Sequence, residues 1–424
     1  SSPVRRPRWS VVPPTITPAD SSLPRPEPES TMTPLFRKFL GMNWLLFANI
    51  IALAIFGIFA IYSACWMREE AGLATKWREQ VYWMLLGLVF FFAASLIDYK
   101  WIRYLGIPFY LIATGLLIFT TFFGTEINGT RAWLDLGVIL IQPSQLAIAG
   151  GLIVLAFAIS SLHKLHPVFR SPFIRLFVTG FIALVPFAFV LLQGDFGSAI
   201  VWVPVYGAMV LIGNIPIRYL ATIVLCVTMF LPFAFFFGLK DYQKKRITTQ
   251  IEMLQGKKVN ILAEAYSAYN NLLAIGSGGW GGKGFKNPET VNHKGFISPD
   301  TAINDFIFPV LAEIWGFRGS LLMLGGFLLL LMQALYVAFY SRDLMGRLLV
   351  VGVVGLLFAH IYQNVGMNLL IMPITGIPLP LISYGGTFTV VTFFLLGMVQ
   401  SVWVHRIDPE AAKPKPQLRI EHLD

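Results

Sequence analysis

The chain has 424 residues, of which 56% are hydrophobic and only 13% charged, whereas soluble globular proteins carry about 25% charged residues. With a mean hydropathy of +0.68, this composition excludes a water-soluble core and makes lipid the solvent for most of the chain. A net charge of +10 would suggest nucleic acid in a soluble protein, but no basic stretch here sits in a recognisable nucleic-acid module. The Lys and Arg residues read instead as charges that retain cytoplasmic loops and meet anionic membrane lipid.

Residues 1–35 hold nine of the 26 prolines together with Arg5, Arg6, Arg8 and Arg25. Such a segment cannot build a core and is expected to be a disordered cytoplasmic tail. A polytopic membrane domain is expected over 36–406, followed by a short cytoplasmic tail over 407–424. Apolar runs long enough, with their flanks, to cross a bilayer as helices lie near Asn43–Trp66, Val81–Ile97, Leu105–Phe123, Ser144–Leu162, Leu176–Leu192 and Ser198–Ile212. Others lie near Tyr219–Gly238, Ser320–Tyr340, Leu348–Leu370 and Tyr384–Val404. The fold class is therefore an all-α integral membrane protein of about ten transmembrane helices. Cys65 and Cys226 fall inside apolar runs and read as small core residues rather than a disulfide.

Short loops set the orientation. Lys100, Arg103, Lys164, Arg170, Arg175, Arg218, Arg342, Arg347 and Arg406 fall on one side, while Gln193–Gly197 and Ile371–Ile382 on the other carry no Lys or Arg. That asymmetry puts both termini in the cytoplasm. A large extracytoplasmic loop, 239–304, then lies between spans 7 and 8 and carries nine Lys/Arg against five Asp/Glu. A basic outer loop suits a phosphate-bearing ligand, or is simply a solvated face.

Several motifs lie on the outer side. NGTRAWLDLG at Asn128–Gly137 places Arg131 and Trp133 at the interface, Trp133 as a belt residue or a sugar platform. QPSQ at Gln142–Gln145 opens the next span, with Pro143 at a plausible helix start. QGDFGSA at Gln193–Ala199 holds Asp195 in a short turn, and an ionisable residue at that depth is a functional candidate by default. YQKKRI at Tyr242–Ile247 brings Lys245 and Arg246 together, as a headgroup anchor or a pyrophosphate site. AIGSGGWGGKGF at Ala274–Phe285 surrounds Lys283 with glycine, as a flexible loop or as backbone that approaches a ligand closely. DFIFPVLAEIWGF at Asp305–Phe317 is too short to span, and its spacing puts Asp305 and Glu313 roughly on one helix face. PLPLISYGG at Pro378–Gly386, with Ser383, suggests a shaped cavity wall or plain helix termination.

In this order, NGTRAW, QPSQ, QGDFGSA, YQKKRI, AIGSGGWGGKG, NDFIF and TGIPLPLISYGG resemble the motifs of the SEDS family (shape, elongation, division and sporulation proteins) over about Asn43–Arg406. AIGSGG with GKG, together with LIDYKW at Leu96–Trp101, is more like the elongation branch than the division branch. The resemblance implies a peptidoglycan glycosyltransferase in the bacterial inner membrane. It would polymerise lipid II and work beside a class B penicillin-binding protein. It also implies that Asp305 is the essential acid. Glycosyl transfer needs a base for the acceptor hydroxyl and cations for the leaving pyrophosphate. Asp305 is the best-placed carboxylate, and Arg246, Lys245 and Arg131 are the available cations. Asp195, Glu313, Lys283, Trp133 and Ser383 complete the candidate substrate-binding set. A divalent cation, magnesium or manganese, is compatible with the phosphate chemistry, but no ligand cluster marks a metal site. The chain departs from the family where Ile303 and Asn304 stand in place of a common His-Thr. It departs again where Gln145 and Ile148 replace an acid and a base together, and where Ile314 replaces a second Glu. The competing class, a transporter of lipid-linked precursor, should place ionisable groups near the midplane and show an inverted repeat. Neither is evident in the sequence.

Overall fold

A computed structural model describes residues 34–66, 73–127, 130–137, 139–233, 241–260, 262 and 265–406. The tail expectations for 1–33 and 407–424, and Asn128 and Gly129, lie outside the described residues, as does the side chain of Cys226. Cys65 is a buried free thiol. A short helix, α1 (Pro34–Leu40), belongs to a unit separate from the bundle formed by residues 41–424.

Eight helices among the described residues are long and apolar enough to cross a membrane. They are α2 (Trp44–Trp66), α3 (Lys76–Leu96), α4 (Tyr99–Phe123), α5 (Pro143–Leu165), α6 (Pro172–Leu192), α13 (Ile307–Phe339), α14 (Leu344–Asn368) and α15 (Gly386–Val404). The remaining two apolar runs are helical but shorter. The first is divided into α7 (Phe196–Ile200) and α8 (Trp202–Ile212), bounded by the N-cap Asp195 and the C-cap Gly213. The second is α9 (Ile217–Phe233), followed by residues outside the described set. The extended connection over 239–304 carries α10 (Asp241–Leu254), α11 (Tyr266–Gly278) and α12 (Pro299–Ile303).

The fold is not purely helical. The link from α4 to α5 forms a three-stranded antiparallel sheet of β1 (Thr125–Ile127), β2 (Thr130–Asp135) and β3 (Leu140–Ile141). Strand pairing satisfies backbone groups that an irregular link at the bundle end would leave open.

Helices α5, α14 and α15 form the centre, with 72%, 78% and 72% of their apolar windows buried, against 22–39% for the other long helices. Helices associate in lipid by close van der Waals contact, for which small residues are required. Accordingly Gly397 of α15 lies against the backbone of Phe91 in α3, and Gly150 of α5 against the backbone of Tyr110 in α4.

Helix α13 is broken. Gly316 has φ 65° and ψ −161°, a conformation open almost only to glycine. The break frees backbone groups that lipid cannot satisfy. The glycine-rich segment takes them up: Lys283 and Gly284 donate their N–H groups to the carbonyls of Glu313 (2.9 Å) and Ile314 (3.0 Å). In return the N–H groups of Phe317 and Arg318 donate to Gly279 (2.8 Å) and Trp280 (3.3 Å). A Cβ at Gly282 would collide with the carbonyl of Ile314, and one at Gly316 with the backbone of Gly282. The glycines thus allow backbone to meet backbone within the protein. They also set the short segment Ile307–Trp315, as a separate helical piece, at the angle that carries Asp305.

Gly316→Ala tests this joint. Strain of about 1–3 kcal/mol at this conformation, with the added clash, should lower the thermal unfolding midpoint of the protein in nanodiscs. An unchanged midpoint would show that the joint tolerates a side chain.

Candidate active site

Asp305 lies between α12 and the N-cap Phe306 of α13, with its backbone gripped from several sides. Its carbonyl accepts from Asn364 Nδ2 (3.0 Å) and Asn368 Nδ2 (3.2 Å), both on α14. Asn364 also donates to the carbonyl of Ile377 (2.7 Å), and Asn271 of α11 donates to Asn368 Oδ1 (2.9 Å). The preceding carbonyls are held as well, Asn304 by Ser383 Oγ (2.6 Å) and Ile303 by the N–H of Tyr384 (2.9 Å). The carboxylate itself makes no hydrogen bond among the described residues. It faces Gly376, where φ is +73° and an added Cβ would come within 3.2 Å of Asp305 Oδ2.

Asp195 stands nearby and is used differently. It caps α7, with Oδ1 accepting from the N–H of Ser198 (2.9 Å) and Oδ2 from Gln142 Nε2 (3.2 Å). The loop carrying Gly376 bridges the two acids, because Gly197 of α7 packs against Thr375 and Ile377. Both acids are half-buried, keeping some surface while dense protein surrounds them. Burial, and then the charge of Asp195, push the Asp305 carboxyl from an ordinary 3.8 up to about 7. Burial also raises Asp195, but the hydrogen bonds from Ser198 and Gln142 oppose the rise. Donors favour the charged form, so Asp195 ionises first and its charge then raises Asp305. Pairs driven apart in this way divide into a fixed charge and a proton acceptor near neutral pH.

The other sequence candidates have separate places. Glu313 does not join Asp305: it is fully buried, with Lys283 Nζ at 2.6 Å and the N–H of Val291 at 2.8 Å and 3.0 Å from its two oxygens. The spacing suggested one helix face, but α13 begins only at Ile307, so Asp305 is off that helix. Glu313 and Lys283 fasten the segment after α11 to α13. Ser383 is buried and serves as a latch, accepting from the N–H of Leu379 (2.8 Å) while donating to Asn304. Arg131 is exposed on β2 and paired with Glu126 at 3.1 Å, and Trp133 is half-buried on the same strand. Lys245 is exposed on α10; the side chain of Arg246, on the same helix, lies outside the described residues. Helix α10 is tied to the end of α14 by Gln250, which donates to the carbonyl of Leu370 (2.6 Å).

The sequence motifs include Gln142, at the start of QPSQ, and Asn364, a polar group of the cavity wall before PLPLISYGG, but not Asn271 or Asn368, and for none of the four do they show the hold on the two acids. Their signal was Asn364 and Asn368 at i, i+4 near the end of an apolar helix, where unpaired polar groups are costly. An apolar groove of about 250 Å³ runs between α13 and α14, lined by Phe327, Leu331, Phe358, Tyr362, Gly366 and Ile371 among others. Gly366 and Ile371 in its lining lie near the end of α14, the helix that carries Asn368.

The fold and site define a multi-pass helical membrane protein with a half-buried acidic pair at one end of its bundle. The chain belongs to the cell cycle protein family of FtsW, RodA and SpoVE, whose model matches residues 43–407. It is 32% identical over 363 residues to peptidoglycan glycosyltransferase MrdB of Escherichia coli K12, covering 84% of this chain and 92% of that one. It is 28% identical over 433 residues to peptidoglycan glycosyltransferase RodA of Treponema pallidum, covering 85% and 97%. The crystal structure of Thermus thermophilus rod shape determining protein RodA matches with a TM-score of 0.62 at 28% identity, covering 87% and 99%. A structure described as a peptidoglycan synthase complex that coordinates polymerization and crosslinking matches with a TM-score of 0.70 at 27% identity, covering 87% and 99%.

Replacing Asp195 with Asn removes the fixed charge and leaves the burial. The midpoint of the Asp305 carboxyl, followed by its infrared C=O band, should move below about 7 yet stay above that of an exposed aspartate. An unmoved midpoint would mean that Asp195 does not act on Asp305.

Proposed function

We propose that the protein is a peptidoglycan glycosyltransferase that polymerises lipid II into glycan strands for cell-wall elongation and cell shape, with Asp305 as general base. The observation that carries this reading is the Asp305 carboxylate: anchored through its backbone, free of hydrogen bonds among the described residues, and poised at about 7. A base at that value can both accept and release a proton at working pH. Asp305 would take the proton of the acceptor sugar hydroxyl as the oxygen attacks the anomeric carbon. The bond from that carbon to the pyrophosphate then breaks. Arg246 and Lys245 on α10 are the cations assigned to the leaving undecaprenyl pyrophosphate, and the groove between α13 and α14 suits its polyprenyl chain.

Among the described residues no group of three or more His, Cys, Asp or Glu stands together. Magnesium sites often use one or two carboxylates plus substrate phosphates, a donor set that Asp195 would fit. Magnesium or manganese there would supply neutralisation of pyrophosphate charge. The similarity to a peptidoglycan synthase complex supports a class B penicillin-binding protein as partner. Membership of the family supports a bacterial inner-membrane location, and the loop charges support cytoplasmic termini with the acidic pair on the outer side. A transporter of the same precursor is less well supported, because the acidic pair lies at the helix ends rather than at mid-membrane.

The decisive assay is purified protein with labelled lipid II, with or without its partner, read as glycan polymer on a gel. Asp305→Asn keeps the shape and removes the base, so polymer should fall by about 10²–10⁴-fold while the unfolding midpoint is kept. Wild-type activity should rise with pH as Asp305 loses its proton near 7. Near-normal polymer from folded Asp305→Asn protein would transfer the role of base to another group.

A further inference from the structure

The helices that carry the acidic pair also frame a second site at their other ends. Helix α5 starts beside Gln142 and ends at His163 and Lys164, while α6 starts near Arg175 and ends before Asp195. Helix α14 starts at Leu344 and ends at Asn368, and α7 and α8 in succession run from the Asp195 cap to the turn at Asn214. At 1.5 Å per residue, the 20-odd residues of α5 or α6 put about 30 Å between the two ends. His163, Arg170, Arg175, Asn214 and Leu344 line a cavity there of about 280 Å³.

The lining is one-sided in charge. Arg175 is buried, with 9% of its surface exposed, and its Nε finds no hydrogen-bond partner among the described residues. The Nδ1 atom of His163 is buried and unpartnered in the same way. Arg170 and Asn214 are exposed at the edge and give the cavity its opening. The nearby acids are committed elsewhere: Asp98 to Arg342 at 3.6 Å, and Asp343 to Lys100 at 3.8 Å. A guanidinium cannot shed its charge, and a buried charge without a counter-charge is strongly unfavourable. Water would satisfy the N–H of Arg175 but leave its charge unbalanced, whereas an anion does both. Arginine's planar fork is suited to phosphate oxygens, and basic pockets between membrane helices on the cytoplasmic side take anionic lipid head groups.

We propose that this cavity is a binding site for a phosphate-bearing anion, held by Arg175 and His163 inside and by Arg170 and Asn214 at its edge. The cavity is small for a ligand site and suits a phosphate group with little attached. It lies across the membrane from the acidic pair and is independent of it. The anion has two sources of the same chemistry, a phosphodiester lipid head group or soluble phosphate.

The test uses the full chain in phosphatidylcholine nanodiscs, with labelled phosphatidylglycerol as probe and inorganic phosphate as competitor. Phosphatidylglycerol should be retained in preference to phosphatidylcholine. The Arg170→Gln/Arg175→Gln double variant should bind it at least about tenfold more weakly. Arg170→Gln alone, at an exposed position that cannot upset folding, should weaken it severalfold. Displacement by millimolar phosphate would assign the site to soluble phosphate, and retention of the lipid at that concentration to the head group. Equal retention of the two lipids with no phosphate bound, or wild-type affinity in the folded double variant, would overturn the proposal.

Discussion

A membrane helix can be interrupted only where other protein atoms take up the backbone groups that the interruption frees. The rest of the site depends on how this chain meets that constraint at Gly316. An unbroken α13 would run straight to its start, with no separate piece ahead of the crossing segment. The glycine-rich segment lies along the break and exchanges hydrogen bonds with both sides of it. The ion pair of Glu313 with Lys283 holds the two chains together from the side-chain direction. The short piece Ile307–Trp315 therefore leaves the line of the crossing helix and brings Asp305 to α14 and to the loop around Gly376.

With the backbone fixed in this way, the chemistry is a matter of which oxygens are occupied. Asp195 gives both of its oxygens to structural donors, and those donors stabilise its charge. Asp305 is secured through its carbonyl and the carbonyls before it, so its carboxylate is left for reaction. Had the Asn364 and Asn368 amides bound the carboxylate instead, they would have favoured its ionised form and weakened it as a base. The clamp on the carbonyl gives position without that loss of basicity.

Most of the architecture was legible because apolar runs bounded by charge have few alternatives in a membrane. Among the described residues eight of the ten runs form helices long enough to cross and the other two are helical but shorter, and Asp305 and Asp195 stood out as carboxylates in apolar surroundings. Segments outside the apolar pattern were read less well. The β1–β3 sheet has strands of two to six residues, too short for a clear alternation. The glycine-rich segment offered a flexible loop or a ligand cradle, and its partner proved to be the chain's own backbone at a break some 30 residues on. Lys283, Glu313 and Ser383 carry polar groups whose partners are distant in sequence, so nothing local distinguishes a latch from a ligand contact. Asn364 and Asn368 belong to the same class. Their spacing was visible, but their target, a main-chain carbonyl, leaves no trace in the side-chain pattern.

The departures from the family's common pattern can be judged by the atoms each position contributes. Ile303 and Asn304 stand where His and Thr are common, and both are fixed through their carbonyls, by Tyr384 and Ser383. Those bonds do not depend on the side chains, so the change leaves the hold on Asp305 in place. Gln145 and Ile148 are both buried on α5, in the turns just after Gln142. An acid and a base there would form an ion pair with no net charge, and two neutral residues also contribute none. Exchanging a buried ion pair for neutral packing is often neutral or stabilising, whereas losing one partner alone is strongly destabilising. With both positions neutral, no unbalanced charge sits in these turns of the helix whose Gln142 holds Asp195.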